Sequence, residues 1–467
     1  MLRDRYDAMN LFELVPALSL AMEPVLAHLD TLLEEAGLFQ KVKADLAKRF
    51  PRTLVDGRPS TPVEVILRLL VVQHLYGWSY QQTEHWVKDS LVLRQFCRVY
   101  LEAVPDDTTL LRWANLIQPQ TVHELLDHVV QMARSLKVTR GRKLRTDETV
   151  VATNIHHPTD STLLGDGVRV LSRLLKQAQH LLHRGVAVSH EALAQAAFRD
   201  RTRSAHRQVQ RIAEATRRKG EQAEALAHRA YARLIEIAQA TLGQAHQVCQ
   251  GLEEASHRSV RRLTHTLATF GERMQHVLTQ TEQRVLRGQP VPADQKLVSL
   301  FEPHTAIIRK GKAAPPTQFG RMVWLDELEG GVISRYAVLE GNPPEAAQIV
   351  PSLDHHRHLF GNPPSVLAGD RGTYSPEGEA YAQTQGVAQV VLPQPGAKSV
   401  PRRAHEHQPW FRRGRRWRAG IEGRIHVLKR DYHLDRCLYH GEAGMERWVG
   451  WGLLAHDLRM IALATAQ

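Results

Sequence analysis

Three acidic residues in unlike settings carry the chemistry this sequence can be read for. Glu422 is the one carboxylate within the basic stretch Arg412–Arg430, RRGRRWRAGIEGRIHVLKR. Asp370 closes the short apolar run SVLAGD, and Asp147 lies inside the β-branched stretch LRTDETVVATNI. Brought to one point, three carboxylates repel one another unless a cation neutralises them. An all-oxygen donor set suits Mg²⁺ or Mn²⁺. Two such ions about 3.5–4 Å apart can activate an attacking oxygen and stabilise the leaving one at a phosphodiester. The chain has no Gly-x-Ser-x-Gly elbow and no phosphate-cradling Walker loop, so neither a serine nucleophile nor ATP is implied. A plainer reading of Glu422 stays open: it is a charge partner for Arg418, four residues before it, and Lys429, seven after.

The elements that would position these acids follow from local pattern. After Arg418 the spacing predicts a helix, with Ile421, Ile425 and Leu428 on one face and Glu422, His426 and Lys429 on the adjoining one. Gly420 and Gly423 leave room there for a close neighbour. LRTDETVVATNI reads as one strand, or two joined tightly, and FGRMVWLDELEGGVISRYAVLEG as a hairpin turned at Glu329-Gly330-Gly331. A helix from Pro344 to Phe360, the Asp370 strand, a short helix, the strand VAQVVLP and an arginine-rich loop over 395–416 lead to the Glu422 helix. A last helix runs from Met445 to Leu463. Three antiparallel strands followed by alternating helix and strand make a mixed sheet with helices on its faces, in which the Asp147 and Asp370 strands are neighbours.

Other parts of the chain read as helix. Apolar residues at three and four spacing mark 12–50. Thr61-Pro62-Val63-Glu64 looks like a capped start for a helix to Tyr76, apolar on nearly every side. Short helices at 79–89 and 91–100 and one opened by Asp107 suit either a helix-turn-helix-like unit exposing Arg112 or an ordinary bundle. From Val168 to Leu286 there is no proline, and heptad-like seams run through Leu234, Ala238, Ala245 and Leu252 and through Leu263, Leu267 and Met274. The domains expected are therefore 1–135, an N-terminal helical DNA-binding domain; 140–165 with 300–467, the catalytic domain; and 166–299, a helical, coiled-coil-like insertion.

Composition narrows the partner. Lys and Arg number 61 against 49 Asp and Glu, a net +12, which favours a phosphate-bearing partner, nucleic acid before an anionic membrane. The three scattered cysteines form neither a disulfide framework nor a zinc site, and no apolar run is long enough to span a bilayer. A cytoplasmic location is expected. Several other polar residues read as bystanders: Glu148 as a surface or partner charge on the opposite face of its strand, Asp326 and Glu327 as a strand-end pair, Asp160 and Asp166 as capping or turn residues. His156-His157 and His355-His356 lack further ligands for zinc.

On LRTDETVVATNIHHPTDSTLLGDGVRVL, VLAGDRG and RAGIEGRIHVLKRDYHLDRCLYHG, with GLLAHDLRMIA after it, the chain resembles insertion-sequence transposases of the DDE class, most like the ISNCY-type group. PVEVILRLLVVQHLYGWSYQQ and PDDTTLLRW are similar to the N-terminal domain common in such transposases, assigned to DNA binding. The resemblance implies an α+β fold: a ribonuclease-H-like mixed β-sheet with flanking helices, plus the N-terminal helical domain and the long α-helical insertion. It implies that Asp147, Asp370 and Glu422 are catalytic and bind two Mg²⁺ (or Mn²⁺) ions, activating water for cleavage and then the freed 3′-hydroxyl for attack on target DNA. Arg418, Lys429, Arg415, Arg371 and Arg112 would bind DNA, the partners being the terminal inverted repeats and the target duplex, with a homodimer on DNA in a bacterial cytoplasm, at the nucleoid. Related transposases carry a tyrosine where Arg415 stands, so no tyrosine role transfers, nor does any role of the early helical insertion. A nuclease of the same fold without strand transfer, or an inactive DNA-binding scaffold, are the alternatives.

Overall fold

The computed structural model describes residues 2–6, 22–48, 52–57, 59–183, 199–218, 220–252, 257–309 and 317–466. The chain forms two compact units, Met1–Asn154 with Lys310–Gln467, and Ile155–Arg309.

In the first unit the N-terminal helices are α1 (Pro24–Leu32), α2 (Ala36–Ala47), α3 (Val63–Tyr76), α4 (Tyr80–Asp89), α5 (Leu91–Phe96), α6 (Asp107–Ala114) and α7 (Pro119–Ser135). The expected 12–50 helix is two helices where it is described, and its residues 12–21 and 49–50 lie outside the described residues. α3 is central, as its apolar circumference predicts, with Val63 through His74 all buried. Its start differs from the capping-box reading. Pro62, not Thr61, is the N-cap, and no side chain caps it. Glu64 is instead buried between Arg5 at 3.0 Å and Arg68 at 3.1 Å, because a fully buried guanidinium needs a carboxylate partner.

The second unit holds α8 (Asp160–His183), α9 (Thr202–Arg217), α10 (Glu221–Leu252) and α11 (Arg258–Thr281). The seams read from sequence are its core: Leu234, Ala238, Ala245 and Leu252 of α10 and Leu263, Leu267 and Met274 of α11 are buried in one cluster. α8 opens at Asp160 rather than near Gly167, and the Asp160 carboxylate lies 3.1 Å from Arg284.

The sheet of the first unit is built from β1 (Lys143–Thr153), β2 (Gln318–Leu328), β3 (Ile333–Leu339), β4 (Val366–Ala368), β5 (Gln389–Val391) and β6 (Arg436–Cys437). In space these lie in the order β3-β2-β1-β4-β5. The β1–β2 and β2–β3 pairs are antiparallel, the β1–β4 and β4–β5 pairs parallel, and β6 pairs in parallel with the far end of β1. This is a mixed α+β architecture with β1 central. The helices are α12 (Ile349–Phe360), α13 (Pro376–Thr384), α14 (Val400–Glu406), α15 (Pro409–Asp431) and α16 (Glu442–Thr465).

The segment 395–416 is not a loop. Ser399 caps α14, whose second residue is Pro401, and Pro409 begins α15. Arginines mask the apolar period here, while proline at a first turn still permits helix. α15 turns Phe411, Gly414, Ile421 and Leu428 inward, with Phe411 packed on Ala368 of β4 and Val391 of β5. α16, buried along most of its length, packs on α1, α3, α7 and β3.

Candidate active site

Parallel pairing of β1 with β4 ends at Arg145 opposite Ala368. Carried two residues further, the same register brings Asp147 level with Asp370. β4 stops there because Asp370 turns the chain: its Oδ1 accepts from the amides of Gly372 at 2.8 Å and Thr373 at 3.1 Å. This Asx turn explains the Asp-Arg-Gly sequence after an apolar strand.

α15 completes the set through one side chain. The Arg418 guanidinium donates to Glu422 Oε1 at 3.0 Å, forms an ion pair with Asp147 Oδ1 at 2.9 Å, and lies 3.9 Å from Asp370 Oδ2. Three acids distant in sequence thus face a single cationic group. The two readings of Glu422 are both visible: it is the i+4 partner of Arg418, and that arginine also reaches both aspartates. Asp147 and Arg418 are mostly buried, Asp370 is half-buried and Glu422 is 68% exposed on its side chain, so the cluster opens to solvent on the α15 side.

Carboxylate oxygens facing one positive centre are the donor set a hard divalent cation takes, and in that respect the residues fit Mg²⁺ or Mn²⁺. Among the described residues no three His, Cys, Asp or Glu side chains stand close enough together to hold an ion as they are. The Arg418 guanidinium lies between the three acids.

A fourth and a fifth carboxyl adjoin Asp370. Glu345, in a short 3₁₀ turn (Glu345–Gln348) before α12, faces the carboxyls of Asp370 and Glu148, and its own carboxyl is pushed up to about 9 by burial first and by these two acids next. A carboxyl so raised is protonated at neutral pH and can donate to its neighbours. Glu148 is buried, so of the two roles expected of it, a surface or a partner charge, the surface one does not hold. The Glu345 carboxyl approaches Gly372 closely, and a Cβ there would displace it. Sequence reading missed Glu345. The only signal was its place just after the β2–β3 hairpin.

Asp326 and Glu327, expected as a bystander pair at a strand end, are tied into the interior. Both are buried, Asp326 against Trp324, Ser352 and Arg335, and Glu327 against Arg145 of β1 and Arg424 of α15.

The basic residues divide into two kinds. Arg371, Arg415 and Arg112 are exposed, the first two on the chain segments that carry Asp370 and Glu422. Lys429 is half-buried and donates to the Val150 carbonyl of β1 at 2.9 Å, tying the end of α15 to the strand of Asp147. Gly420 does admit a close neighbour, the Arg145 guanidinium, whereas nothing approaches Gly423.

The family model of a transposase domain (DUF772) matches residues 17–116, the stretch that holds α1 to α6. The match supports a transposase family for the chain and, with it, an enzyme acting on DNA. No curated protein and no solved structure matches the chain. No helix among the described residues is long and apolar enough to cross a membrane.

Proposed function

We propose that this protein is a DDE transposase with a ribonuclease-H-like catalytic domain, cutting and joining DNA at the terminal inverted repeats of its own insertion sequence. The observation that carries this reading is the meeting of Asp147, Asp370 and Glu422 around one guanidinium, together with the transposase-domain match over 17–116. Asp147, Asp370 and Glu422 would hold Mg²⁺ or Mn²⁺. When bound, such ions supply charge neutralisation at the scissile phosphate and favour a deprotonated oxygen nucleophile.

The chain's own residues do the rest. Arg418 balances the acids in the absence of a cation, and with the acids otherwise neutralised it would be free to reach a phosphate oxygen. Exposed Arg371 and Arg415 hold the DNA backbone beside the acids by charge-assisted bonds that carry no base specificity. Lys429 keeps α15 seated on β1. The protonated Glu345 carboxyl keeps Asp370 in place by hydrogen bonding instead of adding another negative charge. The N-terminal helices, with Arg112 exposed on α6, recognise the inverted repeats, and two copies bring two ends together.

The test is joining of pre-cleaved element ends to a target plasmid in Mg²⁺. Strand transfer by the wild type, lost in Asp370→Asn with end binding retained, supports the proposal. Cleavage without joining would make the protein a nuclease, and binding without either reaction a scaffold.

A further inference from the structure

The Glu327 carboxylate is fully buried in β2, opposite Arg145 in the antiparallel register with β1. Arg145 grips it with both arms, Nε to Oε2 at 2.8 Å and Nη2 to Oε1 at 2.7 Å. Arg424 Nε approaches the same Oε1 at 3.2 Å. The third arm of Arg145, Nη1, donates to the Trp417 carbonyl at 2.5 Å, and its guanidinium lies 5.0 Å from the centre of the Trp417 ring. One buried acid therefore holds α15 at two points. One is the residue before Arg418; the other is two residues past Glu422.

The network continues inward. Arg424 Nη1 meets His456 Nε2 at 3.1 Å, and His456 Nδ1 lies 2.7 Å from Asp457 Oδ1. A guanidinium can only donate, so Nε2 accepts and the ring proton sits on Nδ1, pointing at Asp457. Asp457 in turn accepts from the Ile333 amide at the start of β3 at 3.0 Å. Strand, hairpin, α15 and α16 are thus joined through charged groups with defined directions.

Buried ion networks add little to stability compared with apolar residues of the same volume, and in some proteins they fix geometry instead. Three features agree here. Glu327 is paired in register with the residue two before Asp147, its grips bracket Arg418 and Glu422, and a Cβ at Gly420 would collide with Arg145. We propose that Glu327 is a positioning residue that, through Arg145 and Arg424, sets α15 over β1 so that Arg418 and Glu422 face Asp147. It does not touch the reacting atoms. Its catalytic meaning rests on the three-acid reading of the site.

The test is a double-mutant cycle between Asp147→Asn and Arg418→Met in the full chain with chelator present, read as the folding equilibrium constant from urea unfolding. Side chains in contact couple by about 2- to 100-fold. In the Glu327→Gln background the coupling is expected to fall towards unity. An undiminished coupling there, however much less stable the variant is, would assign Glu327 a purely structural role and overturn the proposal. Should Glu327→Gln not fold, the same cycle in Arg424→Gln decides by the same criterion. Mn²⁺ titration of the wild type separates the two levels: no Mn²⁺ binding removes the three-acid reading, while the metal-free cycle still decides the positioning claim.

Discussion

Arg418 and Asp147 form an ion pair at 2.9 Å that joins the Glu422 helix to the central strand, and the same guanidinium reaches Glu422 and Asp370. An arginine so surrounded is a counter-ion, and whatever binds the three acids competes with it.

Replacing Arg418 by Met should therefore have two opposite effects. Without metal, the acids lose their common partner, and stability falls by about 1–3 kcal/mol. With Mn²⁺, the variant should gain more in melting temperature than the wild type, because the ion has no guanidinium to displace. Thermal melts with chelator and with Mn²⁺ check both. Equal Mn²⁺ shifts in the two proteins would mean that arginine and ion do not share the site.

Gly420 and Gly423 make a contrast within one helix. A side chain at Gly420 would collide with Arg145, so Gly420→Val should displace Arg145 and lower the melting temperature together with Mn²⁺ affinity. Nothing lies near Gly423, and Gly423→Ala should raise helix stability by up to about 1 kcal/mol. Parallel melts of the two variants measure this. A harmless Gly420→Val would show that Arg145 does not need the close approach.

The sequence made the three acids legible because each stands in a distinct texture, and Arg418 because four-residue spacing on a helix implies contact. The neighbours that hold them were less legible. Glu327 beside Asp326 looks like a solvated strand end until the β1–β2 register puts Arg145 opposite it. Glu345 belongs to no pattern, since its approach to Asp370 depends on how the chain returns after β3. The helices over 400–416 were hidden for the opposite reason: their arginines obscure an apolar face of only a few residues, Phe411 and Gly414 among them. Register and chain return are tertiary facts, and one-dimensional spacing does not contain them.

His74 of α3 supplies a pH dependence. The ring is buried among Tyr439, Trp448 and Trp451, and burial first, then the charge of His433, pushes its pKa from 6.5 down to about 3. The fold thus favours the neutral ring, so this contribution is complete above pH 6.5 and is lost as the pH falls towards 3. At the acid end the loss is on the order of 3–5 kcal/mol. His74→Gln cannot titrate, and its melting temperature should decline less between pH 7 and 4 than that of the wild type. Parallel slopes would remove His74 as a source of acid sensitivity.

The central claim is that Asp147, Asp370 and Glu422 are ligands of one divalent-cation centre. Anomalous diffraction from crystals of the protein with Mn²⁺ and a DNA end tests it most directly. Mn²⁺ density is expected in contact with oxygens of all three acids, with the Arg418 guanidinium turned away from Asp147. Manganese bound elsewhere, or no manganese while Arg418 still bridges Asp147 and Glu422, would contradict it.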